Sequence, residues 1–211
     1  VFGIQGKDYV LLAGDRASVS NSIIKFQDTD HKIWEISNNQ LLACVGESYD
    51  KKDFAKYLKA NAENYYFQNG IRLTTEEAAS FIRKELAEGI RSSPHQCNCL
   101  LAGFDVDGPK LYWFDYLGSY AKLLKAAHGY GAYFLYGLMD NYYKKDLTLE
   151  EGEVIISKCI NELKTRFSIN MFEDLMEREG KKDFVFTLNT SGYGVSYDYN
   201  LMKNISLIKD G

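Results

Sequence analysis

The sequence predicts an α+β fold in which two antiparallel sheets lie face to face between two helix layers, a four-layer αββα sandwich. Two observations carry this prediction. Runs of strand-like segments alternate with pairs of helix-like segments, and several strand segments are apolar at nearly every position, such as 41–46 and 99–103. Paired helices between runs of strands favour helices packed outside two stacked sheets. Strands that are covered on both faces explain the uninterrupted apolar runs.

The composition is that of one globular chain without a net positive charge. The 211 residues are 45% hydrophobic and 26% charged, with only 2 prolines, which excludes disordered and low-complexity classes. The net charge of -4 provides no overall positive field for nucleic acid or anionic lipid. We therefore expect a single domain over 1–211, with no nucleic-acid partner and no membrane partner.

The first half of the chain predicts strands followed by two helices. Short β-branched or apolar runs are separated by Gly, Asp, His and Asn; they cover 2–6, 9–15, 22–27, 33–37 and 41–46. From Asp50 the apolar residues recur at helical spacing until Gly70, a typical helix end. A capping box from Thr74 to Glu77 then predicts the start of a second amphipathic helix.

The second half repeats the order. A hairpin is predicted over 98–106 and 110–116, followed by one further strand over 119–125. The segment 132–143 is apolar on nearly every side, so we expect it to be buried if helical. A second capping box at Thr148 predicts the fourth helix. The highly charged residues 171–182 are predicted to form an exposed insertion, before strands over 183–189 and 196–200.

The cysteines are predicted to be free buried thiols, and neither a metal nor a cofactor is expected. They lie among apolar or strand-type neighbours, and a chain with this much core needs no disulfide; they are Cys44, Cys97, Cys99 and Cys159. Cys97 and Cys99 are two positions apart on a predicted strand, so both thiols would point to the same face. No second pair of ligands accompanies them, which disfavours zinc. The longest apolar stretch, 126–139, is shorter than the roughly 20 residues of a membrane span. No signal peptide is recognised at the start, so a reducing compartment is expected.

Specific motifs, beyond these patterns, resemble a known family. In chain order they are Gly3-x-x-Gly6-x-Asp8-x-Val10-x-x-Ala13-x-Asp15, His31-Lys32-Ile33, Cys44-Val45-Gly46, Leu100-Leu101-Ala102-Gly103, Gly108-Pro109-x-Leu111-Tyr112-x-x-Asp115-Tyr116 and Ala127-His128-Gly129-Tyr130-Gly131-Ala132. Together they resemble the proteasome beta subunits, which are N-terminal nucleophile hydrolases. The resemblance implies that hydrolase fold, and the motifs look most like the non-catalytic member at the fourth ring position.

The resemblance also assigns positions in the catalytic site. Active members use an N-terminal threonine whose hydroxyl attacks the scissile carbonyl while its free α-amine accepts the proton. An aspartate and a lysine orient that threonine, and a glycine N–H stabilises the oxyanion. By position these three are Asp15, Lys32 and Gly46, which are retained. Aligned through Asp15, the threonine falls two residues before Val1.

Other family positions are altered. The family's serine in the loop before the third helix falls on Tyr130, and its aspartate and serine after the fourth helix fall on Phe167 and Asn170. Phenylalanine can neither accept a proton nor orient an amine, and tyrosine replaces a small hydroxyl with a bulky ring. No catalytic residue is therefore assigned, and the retained positions are interpreted as vestigial. Asp15 and Lys32 are expected to form an ion pair inside the fold.

The resemblance implies a non-catalytic structural and assembly subunit of the proteasome core particle, which degrades proteins in the ubiquitin-dependent pathway. Its expected partners are beta-type subunits of the same and opposite ring and alpha-type ring subunits, in the cytoplasm and nucleus. Unfolded protein substrates are expected to meet it only through the complex. The chain's 16 tyrosines and 12 phenylalanines suit contact surfaces, with clusters at 65–67 and 142–143 that could equally pack within the domain.

The sequence also allows two alternatives. One is an active N-terminal threonine endopeptidase subunit whose nucleophile is missing from this chain. The other, which is disfavoured because it also needs the terminal threonine, is a subunit of a bacterial-type homo-oligomeric protease.

Overall fold

The computed structural model describes residues 1–15, 18–20, 24–27, 31–166 and 184–189, with side chains over 1–15 and 31–166. In chain order the elements are β1 (Phe2–Gln5), β2 (Tyr9–Gly14), β3 (Ser18–Ser20), β4 (Ile24–Gln27), β5 (Ile33–Ser37), β6 (Gln40–Gly46), α1 (Ser48–Asn69), α2 (Thr75–Gly89), β7 (Cys97–Asp105), β8 (Gly108–Phe114), β9 (Tyr120–Lys122), β10 (Lys125–Ala127), α3 (Ala132–Tyr142), α4 (Leu149–Arg166) and β11 (Phe184–Asn189). Phe167, Asn170, the predicted insertion 171–182 and the predicted strand 196–200 lie outside the described residues.

The strands form two main antiparallel sheets. The first has the order β10-β1-β2-β11 and the second the order β5-β6-β7-β8-β9, while β3 and β4 pair separately. The strand predicted over 22–27 is present as β4, and β3 was not predicted. The strand predicted over 183–189 is β11, which pairs with β2.

Three apolar layers show how the sheets and helices stack. Leu12 of the first sheet and Leu100 of the second belong to one buried cluster between the sheets. On the outer face of the second sheet, Leu42 and Leu101 pack with α1 and α2. On the outer face of the first sheet, Leu11 packs with α3 and α4. This stacking confirms the predicted αββα sandwich.

The helix ends are those that the sequence predicts, because their signals are local. At the start of α2 the backbone N–H of Glu77 bonds to Thr74 and the Glu77 carboxylate bonds back, which completes the capping box. The same reciprocal pair joins Thr148 and Glu151 before α4. Helix α1 ends at Gly70, whose φ of 71° is left-handed.

The prediction of one strand over 119–125 is wrong. The structure has two strands there, β9 on the edge of the second sheet and β10 on the edge of the first. Between them the chain crosses from one sheet to the other: the Leu123 N–H donates to Leu111 O at 2.9 Å, and Leu124 O accepts from the Gln5 N–H at 2.8 Å. The local sequence cannot reveal such a crossing, because it is determined by which strands the two ends of the segment pair with.

The prediction that 132–143 lies inside the fold is also wrong. Helix α3 buries only Leu135 and Met139, and the Tyr133 side chain is 86% exposed. One face of α3 packs with α4 over the first sheet, so its other face carries aromatic side chains outward. No helix within the described ranges has both the length and the apolar character needed to cross a bilayer.

Candidate functional site

Asp15 and Lys32 meet where the two sheets adjoin. Asp15 follows β2 and Lys32 precedes β5, whose entry is held because Lys32 O accepts from the Cys44 N–H at 2.8 Å. The Lys32 Nζ donates to Asp15 Oδ1 at 2.9 Å and to Oδ2 at 2.8 Å. The Lys32 side chain is 12% exposed and the Asp15 side chain is 32% exposed, so this expected ion pair is partly shielded from water.

Val1 lies beside this ion pair. The charges of both Asp15 and Lys32 act on the main-chain nitrogen of Val1. A Cβ added at Gly14, the residue before Asp15, would lie 3.1 Å from Val1 Cγ1. The start of β1 and the end of β2 therefore place Val1 close to the Asp15 and Lys32 pair.

Gly46 ends β6 in a conformation that requires glycine. Its φ is 143°, and a Cβ there would collide with the carbonyl oxygen of Gln96. The Glu47 N–H, which follows it, donates to the same Gln96 oxygen at 3.0 Å. Glycine is therefore required at position 46 for a structural reason. The chain entering β7 lies so close to this backbone that no side chain would fit.

His128 is a packed residue at the end of β10. The backbone N–H of His128 donates to the backbone oxygen of Val1 at 2.8 Å, which extends the pairing of β10 with β1. The ring stacks on Trp113 with centroids 4.9 Å apart, and Nε2 lies 3.2 Å from Cys99 O. Burial lowers the pKa of His128 from its usual 6.5 to about 4, so the imidazole is neutral at pH 7.

Tyr130 does not turn inward from its loop. It follows Gly129, whose φ is 81°, and its side chain is 77% exposed. An exposed phenol therefore stands where the resemblance places a small hydroxyl. The other two altered positions, Phe167 and Asn170, lie outside the described residues, so their roles remain predictions.

Sequence reasoning missed two buried polar groupings. The Thr75 N–H and hydroxyl donate to Asp105, which also pairs with Lys110 Nζ at 3.1 Å and so ties the start of α2 to the β7–β8 hairpin. Cys44 and Cys99 face each other across β6 and β7, with their Sγ atoms 3.1 Å apart. Both groupings depend on contacts between segments that are distant in sequence, Thr75 with Asp105 and Cys44 with Cys99, which no local signal encodes.

Comparisons with known proteins agree with this fold. A family model described as "Proteasome subunit" matches residues 1–174. Over 168 residues the chain is 44% identical to "Proteasome subunit beta type-2" of Dictyostelium discoideum, covering 78% of this chain and 84% of that protein. This chain belongs to the family of proteasome beta subunits.

Two further relatives extend the match. "Proteasome subunit beta type-2-B" of Arabidopsis thaliana is 35% identical over 195 residues, which cover 90% of this chain and 98% of that protein. "Proteasome subunit beta type-4" of Saccharomyces cerevisiae is 36% identical over 173 residues, covering 81% of this chain and 87% of that protein. As a proteasome beta subunit, this chain has the N-terminal nucleophile hydrolase fold and forms part of a protein-degrading complex with other proteasome subunits.

Proposed function

We propose that this proteasome beta subunit is non-catalytic and that it acts as a structural and assembly subunit of the core particle. The observation that carries the proposal is Tyr130. A side chain that is 77% exposed cannot hold or polarise a nucleophile inside the fold, and it replaces the small hydroxyl of active members. The replacements at Phe167 and Asn170 support the same conclusion from the sequence.

The retained residues have structural roles that need no catalysis. Asp15 and Lys32 neutralise each other at the junction of the two sheets, and Gly46 permits the close approach of Gln96. A chain that keeps these residues for folding can lose the remaining catalytic positions without losing the fold.

The surfaces that suit neighbouring subunits are aromatic. On α3 and the preceding loop, Tyr133 is 86% and Tyr130 77% exposed, and at the end of α1 Phe67 is 80% exposed. Exposed aromatic side chains of this size are typical of interfaces and unfavourable in water. Tyr143, by contrast, packs within the domain, because its hydroxyl donates to Gln5 O at 2.7 Å.

The proposed arrangement is that of a hetero-oligomeric ring. This chain would occupy the fourth position of a beta ring, between an identical inverted ring and an alpha-type ring. It would meet unfolded substrates of the ubiquitin-dependent pathway only through the complex, in the cytoplasm and nucleus. Gentle isolation of the native protein followed by peptide identification tests this arrangement. Other beta-type and alpha-type chains should copurify with it, whereas recovery of this chain alone would contradict the proposal.

The test of inactivity uses the intact complex. We expect an epoxyketone or vinyl-sulphone probe to label other beta chains but not this one, because the probe needs an N-terminal threonine with a free amine. Labelling of the other chains is the control that the complex is active. A covalent adduct on this chain would overturn the proposal.

The second candidate function is an active threonine endopeptidase, which the retained ion pair of Asp15 and Lys32 favours. Mass spectrometry of the N-terminal peptide from the assembled complex distinguishes the two. A mature chain that begins with threonine two residues before Val1 would establish the active alternative. Any other start, together with no probe labelling, supports the non-catalytic subunit.

A further inference from the structure

Two cysteines of the central strands stand in the geometry of a disulfide. Cys44 on β6 and Cys99 on β7 are register partners in an antiparallel ladder. Such partners have Cα atoms about 4.5 to 5.5 Å apart, inside the range that disulfides span. Their Sγ atoms are already 3.1 Å apart, and both side chains are completely buried beneath α1 and α2. A disulfide would therefore require the two sulfur atoms to approach each other by only about 1 Å more.

The other two cysteines do not fit as partners. The thiol of Cys97 also hydrogen bonds to that of Cys99, but the two residues are two positions apart on one strand, where Cα atoms are about 6.7 Å apart, at the far limit for a disulfide. The register partner of Cys97 across the ladder is Gly46. Cys159 belongs to the apolar layer on the other side of the fold, under α3 and α4. The strand register thus selects one pair.

The two paired thiols differ in their surroundings. Burial raises the pKa of both, and that of Cys99 lies well above its usual value. The positive charge of Lys51, in the first turn of α1 and only 2% exposed, acts on Cys44 and opposes this effect. Burial keeps both thiols protonated, so attack on an oxidant follows the loss of a proton from one of them, which the charge of Lys51 favours at Cys44.

We propose that Cys44 and Cys99 are a latent disulfide pair that a hydroperoxide closes. The Cys44 sulfur attacks the O–O bond, which breaks; the sulfur becomes a sulfenic acid, and the leaving oxygen takes the Cys44 proton to give water or an alcohol. The Cys99 sulfur then displaces the hydroxyl, which leaves as water with the Cys99 proton. Two thiols and one hydroperoxide yield one disulfide, one water and one alcohol, or two waters from hydrogen peroxide.

The covalent link would act on the helix layer. It would join β6 to β7 and enclose α1 and α2 in one loop between residues 44 and 99. Cross-linking a loop that contains two helices restricts the unfolded chain and so stabilises the folded one. Oxidation would therefore make this subunit more resistant to unfolding while leaving the Asp15 and Lys32 pair unchanged.

The first test uses the assembled complex and hydrogen peroxide. After treatment, free thiols are alkylated in denaturant and the protein is digested without reductant. We expect a peptide pair joined through Cys44 and Cys99, lighter by two hydrogen atoms than its thiol forms and separated by dithiothreitol. Cys97→Ala and Cys159→Ala are matched controls that should form the same link. Full alkylation of both thiols at a dose that oxidises other chains, or a link through Cys97, would overturn the proposal.

The second test separates the two roles. With Cys99→Ala, peroxide should leave Cys44 as a sulfenic acid that dimedone labels, whereas Cys44→Ala should leave Cys99 largely unlabelled. Lys51→Met should slow disulfide formation at least about threefold, and Lys56→Met, at an exposed lysine of the same helix, should not. Equal rates in both lysine variants would refute the assignment of Cys44 as the attacking thiol. If a variant does not assemble, the wild-type peptide link decides the proposal.

Discussion

Lys32 and Asp15 form a two-pronged ion pair, in which the lysine Nζ lies 2.9 Å and 2.8 Å from the two carboxylate oxygens. The pair connects the end of β2 in one sheet with the entry to β5 in the other. It therefore joins the two halves of the sandwich. In this chain the same contact can serve folding alone.

Asp15→Asn or Lys32→Met should lower the stability of the subunit and the yield of assembled complex. Removing one partner takes away the opposite charge that lies 2.8 Å from the other; for this partly exposed pair we expect about 1 to 3 kcal/mol, below the cost at a fully buried pair. Peptide hydrolysis per assembled complex should not change. The double variant, which removes both charges, should recover part of the yield. Lower hydrolysis at a normal yield would contradict this prediction.

Gly46→Ala should destabilise the fold by more than about 3 kcal/mol, because backbone strain and a collision act together. The φ of Gly46 is 143°, and the new Cβ would meet Gln96 O. Gly108→Ala is the matched control: its φ is 112°, but nothing lies within 4 Å of the added Cβ. Pulse proteolysis of the subunit in the complex measures both variants. Equal losses of stability in the two variants would show that the close approach of Gln96 contributes nothing to the cost of Gly46→Ala.

Stability should fall in acid because of His128. Burial lowers its pKa from 6.5 to about 4, so between these values the unfolded chain binds a proton that the folded chain does not. The contribution is complete above about pH 6.5 and is lost as the pH falls towards 4, by about 3 kcal/mol in total. Hydrogen exchange of peptides from β7 and β10 measures this loss. His128→Gln should show a shallower pH dependence; an unchanged slope would exclude His128 as its source.

Tyr133→Ser and Phe67→Ser should leave the fold intact but reduce incorporation into the complex several-fold. Both side chains are largely exposed, at 86% and 80%, so their removal costs the isolated fold little, whereas buried aromatic contacts contribute strongly at interfaces. Val106→Ser, at the exposed turn between β7 and β8, is the control and should assemble normally. Normal incorporation of a variant with both aromatic residues replaced would show that these surfaces face solvent in the complex.

Local signals allowed much of the fold to be predicted from the sequence. The capping boxes at Thr74 and Thr148 work because their partners are three residues away, so any folded context preserves them. The alternation of strand runs with helix pairs, together with fully apolar strands, predicted the layer order because each layer must bury its apolar face. The ion pair of Asp15 and Lys32, which the motifs predicted, is confirmed by the structure.

Long-range geometry accounts for what those signals missed. The segment 119–125 divides between two sheets because strand pairing, and not local composition, determines where the chain crosses. Helix α3 exposes its aromatic face because α4 and the first sheet cover only the opposite face. Cys44 and Cys99 meet through a register between strands that are separated by two helices. Residues close in sequence set the elements of this protein, whereas contacts between distant segments set which side chains face each other and which face outward.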